Sequence, residues 1–142
     1  MPQGLVSLGE SAFNNAGEDV KLVDDEEHRA LPPGLKILPR RCFFRCGNVK
    51  ITEFGSEDGS YVLETIAESA LDMKTVTAKG TDHTGIEFVT IYPSVKSIEN
   101  KAFYGYGSYD NTPGGTRAII KPRAEDNPIS IHEAAGFVEI EP

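Results

Sequence analysis

The chain has no tryptophan, only two cysteines among 142 residues, and no apolar run longer than a few residues. The short runs rule out a membrane-spanning helix, which needs about 20 apolar residues in succession. Two cysteines, Cys42 and Cys46, are too few for a disulfide framework. Their C-x-x-x-C spacing brings no further ligands with it, so both are read as packed thiols and no metal or cofactor is expected. Basic residues are also scarce, with 14 Lys+Arg against 22 Asp+Glu and a net charge of −8. A duplex-binding protein needs a cationic face to displace counterions from phosphates, so nucleic acid is not an expected partner. The small basic groups at Lys36, Arg40, Arg41 and Arg45, and at Arg117, Lys121 and Arg123, are read as solvated faces or partner contacts. No glycine-rich phosphate loop is present, and no Ser/His/Asp or paired-carboxylate arrangement suggests catalysis. His28, His83 and His132 are far apart in sequence. The acidic run at residues 24–29, "DDEEHR", lacks the alternating oxygens and central glycine of a calcium loop and reads as a solvated turn.

What the chain does have is repetition. "LVSLGESAF" at residues 5–13 returns as "LKILPRRCF" at 35–43, "LETIAESAL" at 63–71 and "VKSIENKAF" at 95–103, in steps of 30, 28 and 32 residues. The first, fourth, eighth and ninth positions are apolar in every copy, the eighth always small and the ninth always large. Periods of 20–50 residues mark stacked architectures, in which one unit cannot bury its own apolar edge but neighbours can. The i, i+4, i+5 spacing of positions four, eight and nine predicts one face of a short helical turn. Between copies lie β-type runs: residues 20–23, 49–54, 75–78, 88–91 and 118–120. Proline turns at "LPPGLKIL" and "IYPSVKSI" suit corners where a strand must stop. The segment "NPISIHEAAGFVEIEP" has a comparable but imperfect pattern. Residues 123–142 are therefore either a degenerate capping repeat or a tail outside the pattern.

The pattern of Pro32, Leu35, Leu38, Cys42 in an alanine place, Phe43, Cys46 and Val49 resembles the BspA-like leucine-rich repeats. "YPSVKSIENKAFYGY" is similar to them as well. The resemblance covers about residues 2–122. It implies an α/β to mainly β leucine-rich-repeat solenoid of four to five right-handed coils, with one parallel sheet on one side and short helical turns or loops opposite. The repeats would run 2–31, 32–60, 61–91 and 92–122 within a single repeat domain. The resemblance also implies binding, as in surface adhesins, and carries no catalytic residue. The steps here exceed the family's usual length. The surplus is polar: residues 24–29, 55–60, 79–85 and 105–115.

These readings make the chain a non-enzymatic binding module that presents loops to a protein or glycan. The other option is a structural building block of a surface or phage assembly, which would self-associate or stack on a neighbouring domain. The start lacks the basic and apolar regions of a leader. Two kinds of location stay open: in the cytoplasm or a phage particle, or at the cell surface or secreted after loss of a leader. The candidate binding residues are Tyr104, Tyr109, Asp110 and Asn111 in the glycine-rich insertion, because tyrosine supplies contact area at low entropy cost. Tyr106 takes the place of Cys46 and is expected in the core.

Overall fold

The structure, a computed structural model, describes residues 4–14, 31–44, 51–72, 88–106 and 116–140. Eight short strands occur among them: β1 (Ile37–Leu38), β2 (Glu53–Phe54), β3 (Thr65–Ile66), β4 (Val89–Ile91), β5 (Ser97–Ile98), β6 (Thr116–Ile120), β7 (Ser130–Ile131) and β8 (Phe137–Glu139). They form two four-stranded parallel sheets, β1-β3-β5-β7 and β2-β4-β6-β8. Successive strands thus alternate between the sheets. Among the described residues there is no helix, and none long and apolar enough to cross a membrane. Two parallel sheets replace the single sheet expected from the sequence.

The repeated phrase is not a helical turn. In copies two to four its third and fourth residues form β1, β3 and β5, paired in register from Leu38 to Ile66 to Ile98, and Ile98 pairs in turn with Ile131 of β7. In β1, β3 and β5 the fourth residue points inward and is buried, while the third lies on the outer side. Two overlapping turns follow each strand. In the second copy the amide of Cys42 donates to the carbonyl of Pro39 and that of Phe44 to Arg41; the third and fourth copies repeat this at distances of 3.1–3.2 Å. The seventh residue of the phrase, where the second turn begins inside the first, is left-handed every time: Ser11, Arg41, Ser69 and Lys101 have φ of 55–57°. A left-handed residue stops a right-handed helix and costs an L-residue about 1–2 kcal/mol. What offsets the strain is a sideways hydrogen bond. The amides of Ser11, Arg41 and Ser69 each donate to the sixth residue of the next copy, Arg40, Glu68 and Asn100, at 3.0 Å.

Ninth residues donate likewise to the eighth residue of the next copy: Phe13 to Cys42, Phe43 to Ala70 and Leu71 to Ala102, at 2.8–2.9 Å. The small eighth side chain fits this close approach. In copies two to four all twelve patterned positions are buried, from Leu35 to Phe103. Each fully buried large aliphatic or aromatic side chain contributes about 1.5–3 kcal/mol. In the first copy Leu8 and Phe13 are only half-buried and pack on this core from one end, with the Phe13 and Phe43 rings stacked at 5.3 Å.

The second sheet supplies the opposite wall. Phe54 pairs with Ile91 and Ile91 with Ile120, and Phe54, Val89, Ile91 and Ala118 are buried. These strands fall in the β-type runs seen at residues 49–54, 88–91 and 118–120. The runs at 20–23 and 75–78 lie outside the described residues. In the tail, β7 and β8 form the last strand of each sheet. There the turn changes: Lys101 donates to the carbonyl of Ala134, and Gly136 is the left-handed residue at φ 96°.

Candidate binding surface

The tyrosine-bearing insertion leaves and re-enters the core at two fixed points. Tyr106, at its start, is fully buried, and its hydroxyl donates to the Ile51 carbonyl at 2.8 Å. Burial pushes the Tyr106 phenol well above its ordinary value of 10.0. Thr116, at its end, is also buried, and its hydroxyl donates to the Phe103 carbonyl at 2.7 Å. Tyr106 is therefore a core residue. Tyr104 is half-buried, with the Lys101 ammonium 6.0 Å from its ring centroid. Its backbone is packed against Gly136 so closely that a Cβ there would lie 2.6 Å from the Tyr104 nitrogen. Tyr109, Asp110 and Asn111 lie outside the described residues, so Tyr104 is the one candidate binding residue that the structure places. Cys46, Arg45, His28, His83 and the acidic run at 24–29 are outside them as well.

The basic groups are largely engaged by the protein itself. Arg40 pairs with Glu68 at 3.5 Å and Lys96 with Glu64 at 3.8 Å, both across neighbouring first-sheet strands and partly exposed. Exposed pairs of this kind are worth about 0–1 kcal/mol, but they alternate in sign along the sheet and so favour the observed register. The Arg41 guanidinium lies 5.3 Å from the centroid of the Phe44 ring. Arg123 is a structural clamp rather than a solvated face. Its guanidinium donates to the carbonyls of Val95 at 2.5 Å and Tyr92 at 3.3 Å, and burial holds its pKa below the usual range. Cys42 is fully buried, as a packed side chain. Among the described residues no three His, Cys, Asp or Glu side chains group as metal ligands.

Sequence reading missed a second feature, a cleft beside the connections that return the chain from the second sheet to the first. These connections span residues 55–64, 92–96 and 121–129. The polar surplus at 55–60 belongs to the first of them, whereas that at 105–115 lies on the way to the second sheet. The two insertions thus occupy different positions in the repeat. Residues 55–62 fold tightly. The Ser56 hydroxyl donates to the Tyr61 carbonyl at 2.8 Å and accepts from its amide at 3.0 Å. Ser60 closes the tip: its hydroxyl and amide both donate to Asp58 Oδ1, and these bonds hold the Asp58 carboxyl below the usual range. A cleft of about 460 Å³ lies beside this loop, bounded by Glu57, Tyr61, Glu64, Pro93, Lys96 and Asn127. A difference in connection length was countable in the sequence, but only once the strand ends were known.

Comparison with protein-family models, with curated proteins and with solved structures finds no match for this chain.

Proposed function

We propose that this chain is a non-catalytic binding module, a BspA-like leucine-rich-repeat solenoid of four to five right-handed coils. Its repeats run 2–31, 32–60, 61–91 and 92–122, with 123–142 as a degenerate capping repeat. The observation that carries the reading is the recurrence of one geometry at one repeat position: the left-handed seventh residue, followed by a small residue and a large one that are both buried in copies two to four. Similar units paired in register form a stiff frame, and stiff frames that carry loops of unequal length are suited to recognition. The partner is a protein or a glycan. The insertion with Tyr104, Tyr109, Asp110 and Asn111 is one contact region, and its anchored ends at Tyr106 and Thr116 support that role.

The test is a pull-down and glycan array with wild type and the Tyr104→Ser/Tyr109→Ser double variant, with melting curves for both. Loss of about 2 kcal/mol of affinity with an unchanged melt supports the insertion as a contact. Equal binding moves the site elsewhere. Joint loss of binding and stability assigns these tyrosines to the core. A second reading, a building block in a larger assembly, is favoured by one observation: β7 ends the first sheet with Ile131 exposed. Light scattering across a concentration series separates the two, because only a building block would associate as concentration rises.

A further inference from the structure

In the first sheet β3, β5 and β7 are successive neighbours. The connections entering them are long, short and long: residues 55–64, 92–96 and 121–129. The short one is therefore a floor between two walls, and this accounts for the cleft of about 460 Å³. Neighbouring strands stand about 4.8 Å apart, so walls belonging to strands two apart are about 10 Å apart. That width admits one ring or one extended chain.

Both walls are tied to the floor. The Ser94 hydroxyl donates to the Leu63 carbonyl at 2.9 Å and accepts from the Ser56 amide at 3.1 Å. On the other side Asn127 Nδ2 donates to the Pro93 carbonyl at 2.9 Å, beside the Arg123 clamp on Val95. A cleft fixed in this way loses little freedom when it is occupied.

Its lining selects the occupant. The half-buried Tyr61 offers an aromatic surface, Glu57 and Glu64 offer carboxylates, and Lys96 and Asn127 offer an ammonium and an amide. Carboxylates accept from hydroxyl pairs, the ammonium and amide donate to hydroxyl oxygens, and an aromatic ring takes the C–H face of a pyranose. Two carboxylates against one ammonium disfavour an anionic ligand, and the ionised Asp58 at the loop tip adds to this.

We propose that this cleft is a saccharide subsite for a neutral sugar unit, with Tyr61 as its stacking surface and Glu57, Glu64 and Asn127 as its hydroxyl partners. The proposal rests on the reading of the chain as a binding module and names the ligand class and the place.

The experiment titrates the isotope-labelled full chain with a panel of neutral mono- and disaccharides and follows amide shifts. Wild type should show saturable shifts confined to residues 56–64, 94–96 and 127. Glu57→Gln, an exposed and conservative change, and Tyr61→Ala should each weaken binding at least about tenfold. The Glu57→Gln melt should be unchanged, which keeps the test valid if Tyr61→Ala does not fold. Absence of saturable shifts, shifts mapping elsewhere, or unchanged affinity in Glu57→Gln would overturn the subsite. Capture of a protein partner without any sugar binding would overturn it too, while leaving the binding-module reading intact.

Discussion

The Tyr106 hydroxyl donates to the carbonyl of Ile51 across the core, joining the turn after β5 to the residues that lead into β2. The phenol is wholly buried, and its oxygen has a protein partner in place of water. Tyr106→Phe should cost about 1–2 kcal/mol, because it leaves a buried carbonyl unpaired. The pH dependence follows from the raised pKa. Unfolded chains release this proton near pH 10 while the folded protein keeps it, so Tyr106 stabilises the fold fully below pH 10 and progressively less above it. Urea melts from pH 9 to 11 should show wild type losing up to about 1.4 kcal/mol per pH unit more than Tyr106→Phe. Parallel curves would mean that the phenol is not held neutral by burial.

Phe43 and Phe13 occupy the same place in neighbouring copies and stack on each other. Phe43 is fully buried, whereas Phe13 is only partly so. Phe43→Ala should cost about 3–5 kcal/mol in chemical denaturation. Phe13→Ala should cost clearly less, because the half-buried ring leaves a smaller cavity. Equal losses would show that the first copy is as tightly built in as the second.

The left-handed seventh position gives opposite outcomes for two small changes. Lys101 has φ 57° and an exposed side chain. Lys101→Gly removes the strain of an L-residue and should raise stability by roughly 0.5–1 kcal/mol after the entropic cost of glycine. Lys101→Val adds a β-branch where backbone and side chain conflict and should lower it by about 1–2 kcal/mol. Thermal melts of the pair check the sign.

Gly136 combines a left-handed φ of 96° with direct contact to the Tyr104 backbone. A Cβ there has no flexible neighbour to displace. Gly136→Ala should therefore cost on the order of 2 kcal/mol or more. Hydrogen exchange should locate the damage in the last strands, with faster exchange at Phe103, whose amide donates to Ala135.

Much of the core was legible because the chain repeats itself. The apolar first, fourth, eighth and ninth positions of copies two to four pointed to Leu38, Cys42, Phe43, Ile66, Ala70, Leu71, Ile98, Ala102 and Phe103, all of which are buried. Tyr106 was legible by alignment with Cys46. The local conformation was not, because a strand followed by two turns buries the same i, i+4, i+5 set as a helical turn does. Apolar spacing reports which side chains go inward without reporting the path of the backbone between them. Of the binding residues read from the tyrosine-rich insertion, the structure places only Tyr104, half-buried and against Gly136.

The sequence by itself determined the period, the buried positions of copies two to four and the β-character of the runs at 49–54, 88–91 and 118–120, since each depends on residue type at a given spacing. The tertiary structure decided what depends on neighbours in space. Position seven of the phrase is held left-handed, although Ser11, Arg41, Ser69 and Lys101 share no side-chain chemistry that demands it. Their common cause is the partner carbonyl, offered at 3.0 Å by the next copy for the first three of them. The strands divide between two sheets because each is too short to bury a face alone and pairs only with its equivalent in the next copy. The cleft at Tyr61 arises because a short connection falls between two long ones in space, and sequence order does not show that adjacency.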